Sequence, residues 1–283
     1  MAELGERTPT GGTRFTVRFW GVRGSIACPG TETARYGGNT ACLEVRCGPH
    51  RLILDGGTGL REFDRAVTGV LEAEVLFTHA HLDHICGWPF FARLREPTTR
   101  LVVRAGHLAP PLTMNGVLDR LLHEPFVPVA ADRVRARLAF RDFNAGETLA
   151  PRPGLVVRTA PLNHPQGATG YRIEWEGRSL AYVTDTEHVP GHPDRAVLGL
   201  IEGADLVVYD CTYTDDEFPK RIGWGHSTWQ EGVRLCEAAG AGRLVVFHHD
   251  PDHDDAFMDS LAEAVNEARP GSIVAREGLV LVP

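Results

Sequence analysis

The stretch Thr78-His79-Ala80-His81-Leu82-Asp83-His84, set directly behind the apolar run Val75–Phe77, constrains this chain more than any other segment. In an extended backbone His79 and His81 project to the same side, as two ligands of one ion must. A turn after Leu82 brings Asp83 and His84 toward a second ion nearby. A solvated histidine-rich loop is the plain alternative, and the rest of the chain argues against it. His164 follows a strand-like run inside Pro161-Leu162-Asn163-His164-Pro165, where alone it would read as an ordinary loop histidine. Asp185 ends the run Leu180–Thr184, and His248 ends Leu244–Phe247, with His249 and Asp250 next. Three such residues at three strand ends are hard to explain as packing. A buried, unpaired carboxylate costs several kcal/mol, so Asp185 calls for a cation or a donor network beside it.

The 283 residues, 43% hydrophobic and 23% charged, suffice for one large α/β domain or two small ones. Strand-like runs are expected at Phe15–Trp20, Ala41–Arg46, Arg51–Leu54, Glu74–Thr78, Leu101–Arg104 and Leu155–Thr159. Further runs fall at Gly170–Glu174, Leu180–Thr184, Leu206–Tyr209, Leu244–His248 and Leu279–Val282. Helical periodicity falls near Gly59–Val67, Pro89–Leu94, Met114–Leu122, Thr228–Ala239 and Asp255–Ala268, with Ser227 and Asp254 as N-caps of the last two. Many short strands with interspersed helices predict two sheets covered by helices. Residues 1–13 read as a frayed, disordered tail, 14–283 as a single domain, and 106–146, rich in proline, as a crossover or lid.

Several function classes drop out on composition. The net charge is −8, Lys220 is the one lysine among 29 basic residues, and no basic run stands out, which disfavours nucleic acid as a partner. No apolar stretch approaches the ~18 residues of a membrane span, and no secretory leader is legible. Six cysteines without C-x-x-C spacing read as reduced thiols, and the protein as cytoplasmic.

Taken in order, Leu54-Asp55-Gly56-Gly57-Thr58-Gly59, the H-x-H-x-D-H segment and the downstream His164, Asp185 and His248 resemble the metallo-β-lactamase fold superfamily, in its ribonuclease Z and small-phosphodiesterase branch. The likeness runs from about Phe15 to Val282. It implies an αββα sandwich, two mixed sheets flanked by helices, with a dinuclear site at one edge. By that match His79, His81 and His164 would hold one metal; Asp83, His84 and His248 would hold the other, with Asp185 bridging. Imidazole and carboxylate together suit Zn²⁺, with Mn²⁺ or Fe as alternatives. Asp55 would orient a ligand histidine through its free ring N–H. Two choices stay open on the residues alone: His248 against its neighbour His249, and Asp185 against Asp210. The family pattern favours His248 and Asp185.

Asp210-Cys211-Thr212 and Gly225-His226-Ser227-Thr228 resemble a further element of that branch, in which an acidic residue pairs with a histidine that protonates the leaving oxygen. The catalytic set expected is therefore His226, Asp210 and Asp83, with a metal-bridging hydroxide as nucleophile. Arg23 and Arg35 are candidate phosphate clamps. The long arm that grips transfer RNA in the long-arm bacterial form lies between the counterparts of His164 and Asp185. Only 21 residues separate those two here, enough for two strands and a turn. The expected substrate is thus a small phosphodiester such as a cyclic nucleotide. The alternatives are an ester, thioester or lactone on the same metals, transfer-RNA 3′ processing, or a non-hydrolytic di-iron protein. The resemblance also implies a homodimer.

Overall fold

The computed structural model describes residues 15–127 and 133–283; the expected tail at 1–13 lies outside the described residues, as does part of the 106–146 segment. Two seven-stranded mixed sheets lie face to face. The first contains β1 (Phe15–Gly21), β2 (Cys42–Cys47), β3 (His50–Leu54), β4 (Glu72–Phe77), β5 (Arg100–Ala105), β6 (Arg137–Phe140) and β14 (Val280–Leu281). Its order is β14-β1-β2-β3-β4-β5-β6. The second contains β7 (Thr148–Arg152), β8 (Leu155–Leu162), β9 (Ala168–Trp175), β10 (Arg178–Val183), β11 (Leu206–Asp210), β12 (Arg243–Phe247) and β13 (Ile273–Val274). These run in the order β13-β12-β11-β10-β9-β8-β7.

Strands β11 and β12 carry unbroken apolar runs, Leu206–Tyr209 and Leu244–Phe247, because both of their faces are covered. In β12, Val245 and Phe247 face the other sheet, and Leu244 and Val246 face the helices. In β11, Leu206 and Val208 point inward, and Val207 and Tyr209 outward. The intersheet layer joins Phe19, Val45 and Leu52 of the first sheet to Tyr171, Tyr182 and Phe247 of the second. Helices α1 (Gly59–Ala66) and α3 (Met114–Leu121) cover the first sheet through Leu60, Phe63, Met114 and Leu118. The short α2 (Leu82–Ile85) lies between them in sequence. Helices α4 (Arg195–Ile201), α5 (Trp229–Ala238) and α6 (Asp255–Ala268) cover the second sheet. The result is the αββα layering expected.

Strands β3 to β6 are parallel, as are β10 to β13, whereas β8, β9 and β10 alternate in direction. The carboxyl ends of β3 and β4 in one sheet and of β8, β10, β11 and β12 in the other each therefore lie together at one edge of their sheet.

The structure amends several sequence expectations. Residues 89–94 form no α-helix; two 3-10 turns, Trp88–Phe90 and Ala92–Arg95, stand there, because the backbone turns extended at Phe91 (ψ 99°) and interrupts the helical hydrogen bonding. Thr228, not Ser227, caps α5, its side chain accepting from the Glu231 N–H. Asp254 caps α6 as expected, accepting from the Phe257 N–H. The 106–146 segment carries β5 over to β6 through α3, with Met114 and Leu118 in the core. No helix among the described residues is long and apolar enough to cross a membrane.

Candidate metal centre and its acid pair

Turns at the strand ends bring the histidine-rich loop, Asp185 and His248 together. Ligand atoms of His79, His81 and His164 lie within 4.8 Å of one another, and so do those of Asp83, His84, Asp185 and His248. Asp185 stands between the two groups. Its Oδ1 is 3.2 Å from His84 Nε2 and 3.3 Å from His248 Nε2, while its Oδ2 is 3.6 Å from His79 Nε2 and 3.7 Å from His164 Nε2.

Each of the five imidazoles has one nitrogen held from behind by oxygen. His84 Nδ1 meets Asp55 Oδ2 at 2.9 Å, and His81 Nε2 meets Gln166 Oε1 at 2.8 Å. His164 Nδ1 meets the Gly225 carbonyl at 2.8 Å, His79 Nδ1 the Thr78 hydroxyl at 3.1 Å, and His248 Nδ1 the Thr212 hydroxyl at 3.0 Å. Such backing fixes the tautomer and presents the opposite nitrogen's lone pair to the cluster. The front nitrogens of His79 and His84 are buried without a hydrogen-bond partner. His164 Nε2 faces His81 Nδ1 at 3.0 Å, two lone pairs that repel unless a cation lies near them. The residues present fit two divalent cations.

The charge balance agrees. Burial would raise the pKa of Asp83 and Asp185, but neighbouring imidazoles, chiefly His84 for Asp83 and His248 for Asp185, hold both well below the usual carboxylate range. Burial pushes His79 well down, so it stays neutral as a ligand must. At His84 burial opposes the charge, but Asp185, Asp83 and Asp55 outweigh it and raise its pKa well above normal, which marks the site as strongly negative and suited to a cation.

The alternatives left open by the residues separate in space. His249 turns away, its Nε2 2.8 Å from the Ala275 carbonyl oxygen, whereas His248 faces the carboxylates. Asp210 is spent elsewhere: Oδ1 accepts from the Thr212 N–H and hydroxyl, and Oδ2 from the Thr186 N–H and from His226 Nδ1 at 3.0 Å. His226 lies beside the cluster, its ring stacked on His248 at 4.8 Å and its Nδ1 3.8 Å from Asp185. Burial alone would lower its pKa; Asp210, then Asp185 and Asp83, raise it to about 9.

The two candidate clamps are engaged with other groups of the protein. Arg23 is fully buried and donates Nε to the Gly37 carbonyl and Nη1 to the carbonyls of Asp250 and His253, so it braces backbone and cannot reach a phosphate in solvent. Arg35 is committed to Asp255 and Asp259 at the start of α6.

Other contributors were invisible in the sequence pattern. Tyr182 donates its hydroxyl to Asp55 at 2.9 Å, and Thr78 donates both its N–H and its hydroxyl to the same carboxylate. The Ser25 N–H donates to Asp83 Oδ2 at 2.8 Å. Two glycines clear room for ligands. A Cβ on Gly24 would stand 2.3 Å from the His248 ring, and one on Gly225 2.3 Å from His164 Nδ1. Only the Gly225-His226 and Gly24-Ser25 adjacencies hinted at this.

A profile described as "Beta-lactamase superfamily domain" matches residues 50–249. The ribonuclease Z of Myxococcus xanthus is 25% identical over 291 residues, covering 86% of this chain and 92% of that protein. The metallo-β-lactamase fold protein YhfI of Bacillus subtilis is 18% identical with a TM-score of 0.72, covering 96% of this chain and 100% of that one. A diphosphatase of the PhnP family is 19% identical with a TM-score of 0.68, covering 95% and 97%. Fold, ordered His/Asp clusters and profile agree: the chain belongs to the β-lactamase superfamily and is a metal-dependent hydrolase akin to its ribonuclease Z-like branch.

Proposed function

We propose that this chain hydrolyses a small phosphodiester, using His79, His81 and His164 to hold one divalent ion, Asp83, His84 and His248 a second, and Asp185 to bridge them. The observation that carries this reading is the His226–Asp210 pair beside the cluster. An alkoxide leaving a phosphodiester needs a proton as the bond to phosphorus breaks, which a fixed acid beside the cluster can give; a thiolate leaves without one, and a carboxyl ester or lactone, reacting through a tetrahedral intermediate, can draw its proton from another donor as that intermediate collapses. When bound, the ions supply Lewis acidity that polarises a phosphoryl oxygen and acidifies water. Asp210 receives the Nδ1 proton of His226 in a hydrogen bond and keeps the ring cationic. His226 Nε2 then gives its proton to the leaving oxygen as the P–O bond breaks. Asp55, Gln166 and the Gly225 carbonyl hold the imidazoles at fixed angles, so little reorganisation accompanies the reaction.

The imidazole–carboxylate donor set favours Zn²⁺. Six free cysteines fit a cytoplasmic protein. Transfer-RNA processing is the reading suggested by relatives named ribonuclease Z. Against it, β8, β9 and β10 form a continuous antiparallel meander, with short turns at residues 163–167 and 176–177. No gripping arm is inserted between His164 and Asp185, which supports a small substrate.

The test is hydrolysis of bis(p-nitrophenyl) phosphate with elemental analysis of the same sample. Turnover at close to two metals per chain, abolished in Asp185→Ala, is the expected result. Full metal loading with turnover of thioesters or lactones but of no phosphodiester would overturn it.

A further inference from the structure

Beside the His79–His81 edge of the metal centre lies a cleft of about 460 Å³ that the chemistry at phosphorus does not use. It is lined by Leu108 and Leu112 of the segment leading into α3, by Val117 and Arg120 of α3 itself, and by His79 and His81. The lining is mostly apolar, and its volume falls in the range of small-molecule sites. Leu112 is 48% exposed and gives the cleft apolar surface that a ligand could cover. His107 adds no charge, since burial lowers its pKa to about 4 and keeps it neutral.

Arg120 supplies the one polar handle of note. Its guanidinium makes no hydrogen bond or ion pair among the described residues, whereas Arg23, which pairs with the strand-end residue His249, is spent on carbonyls. An unpaired cation on the last turn of a helix, beside an apolar surface, is placed to meet an anion carried by a ligand that the apolar wall also holds.

We propose that this cleft seats the ester substituent of the phosphodiester, and that it selects a flat apolar or aromatic body bearing a second anionic group, which Arg120 receives. The proposal rests on the phosphodiester reading for its substrate class. Leu112 and Val117 would act as specificity residues, and Arg120 as the anchor for a distal carboxylate or phosphate.

The experiment separates the two readings. Three p-nitrophenyl phosphodiesters differing only in the second group (methyl, phenyl and 4-carboxyphenyl) are assayed with wild type, Val117→Trp and Arg120→Glu. Filling the cleft in Val117→Trp should lower the phenyl-to-methyl ratio of kcat/KM at least tenfold. Reversing the charge in Arg120→Glu should lower the carboxyphenyl-to-phenyl ratio at least tenfold. Ratios are insensitive to the fraction of folded or metal-loaded protein. Unchanged ratios in both variants would overturn the cleft assignment. If no diester is turned over, the phosphodiester reading fails, and the cleft is judged by equilibrium binding of 4-carboxyphenyl phosphonate. Binding tenfold tighter to wild type than to Val117→Trp and Arg120→Glu would sustain the cleft; equal binding to all three, or none to wild type, would refute it.

Discussion

Asp55→Asn is the substitution that asks most of the proposed centre, because Asp55 touches no metal and yet backs a ligand. Its carboxylate is fully buried and accepts four hydrogen bonds: from the Thr78 N–H and hydroxyl, from Tyr182, and from His84 Nδ1. In Asn the carbonyl oxygen can still serve Thr78, and the Tyr182 hydroxyl can reverse and accept from the new amide. His84 cannot adjust so cheaply. Facing an N–H donor, its Nδ1 must become the acceptor, which places the proton on Nε2, the atom needed by the second ion. Losing such a backing partner typically costs 10–100-fold in metal affinity, about 1.4–2.7 kcal/mol. The apo-protein should lose only ~1–3 kcal/mol of stability, for one badly satisfied buried group. Chelator competition would read the two affinities, and ¹⁵N spectra of the histidine rings would read the tautomer. The expected result is one equivalent of metal weakened 10–100-fold and the other changed far less, with His84 as the Nε2–H tautomer in the apo-protein. Two equivalents bound with wild-type affinity would refute the assignment of His84 as a ligand held by Asp55.

Replacing His226 by Ala should reduce kcat by about 10²–10⁴ on a diester with an alkoxide leaving group, and much less on one releasing p-nitrophenolate, which departs without a proton; equal losses on the two would exclude a general acid there. Gln166→Met keeps the side-chain volume but removes the acceptor behind His81, so affinity for the first ion should fall about tenfold in the same chelator assay. Stripping the metals should lower Tm: at a free-ion concentration 100 times Kd, binding contributes ~2.7 kcal/mol, which is ~5 °C for a chain of this size. A scan with and without chelator checks it, and an unchanged Tm would argue against a metal held by the native state. Asp254→Ala removes the cap of α6 and should cost ~1 kcal/mol in denaturant unfolding without altering metal content.

The fold was legible where both faces of a strand are covered. Leu-Val-Val-Phe in β12 and Leu-Val-Val-Tyr in β11 are unbroken apolar runs, and their register to one another follows from burial. It was illegible at the sheet margins: β6 and β7 are half-exposed edge strands, and β7 contains Pro151, so neither shows a strand's alternation cleanly. Helix α4, Arg-Ala-Val-Leu-Gly-Leu-Ile, is too short and too uniformly apolar to show a helical period. The ligating residue types were visible because imidazoles at strand ends are chemically conspicuous. What backs them was not. Gln166, Thr212 and Tyr182 are ordinary in their local sequence and acquire a role only through contacts with chain 85, 36 and 127 residues away. Arg23 shows the converse: its residue type suggested a phosphate clamp, but its side chain turns inward to three carbonyls.

Backbone strain singles out the same centre without reference to residue chemistry. Six non-glycine residues among those described have a left-handed backbone: Ser25, Asp55, Gln166, Glu176, Asp185 and His248. Glu176 sits in the tight β9–β10 turn, where such a conformation is routine. The other five all touch the proposed centre: Asp185 and His248 as ligands, Asp55 and Gln166 behind ligands, and Ser25 through its N–H on Asp83. Asp55, Asp185 and His248 each stand just past the end of a strand, where turning left-handed swings the side chain across the sheet edge instead of onwards along the strand. Each such residue costs of order 1–3 kcal/mol and persists only where the surroundings over-determine it. Glycine would relieve that strain at any of the five, yet it would remove the very group that meets a ligand. Three of these residues follow β3, β10 and β12, drawn from both sheets, so the cost of aiming them is spread over two sheets joined by one core. That division lets a rigid apolar sandwich hold five imidazoles and two carboxylates in two adjoining ligand clusters while no single strand end carries more than one strained residue.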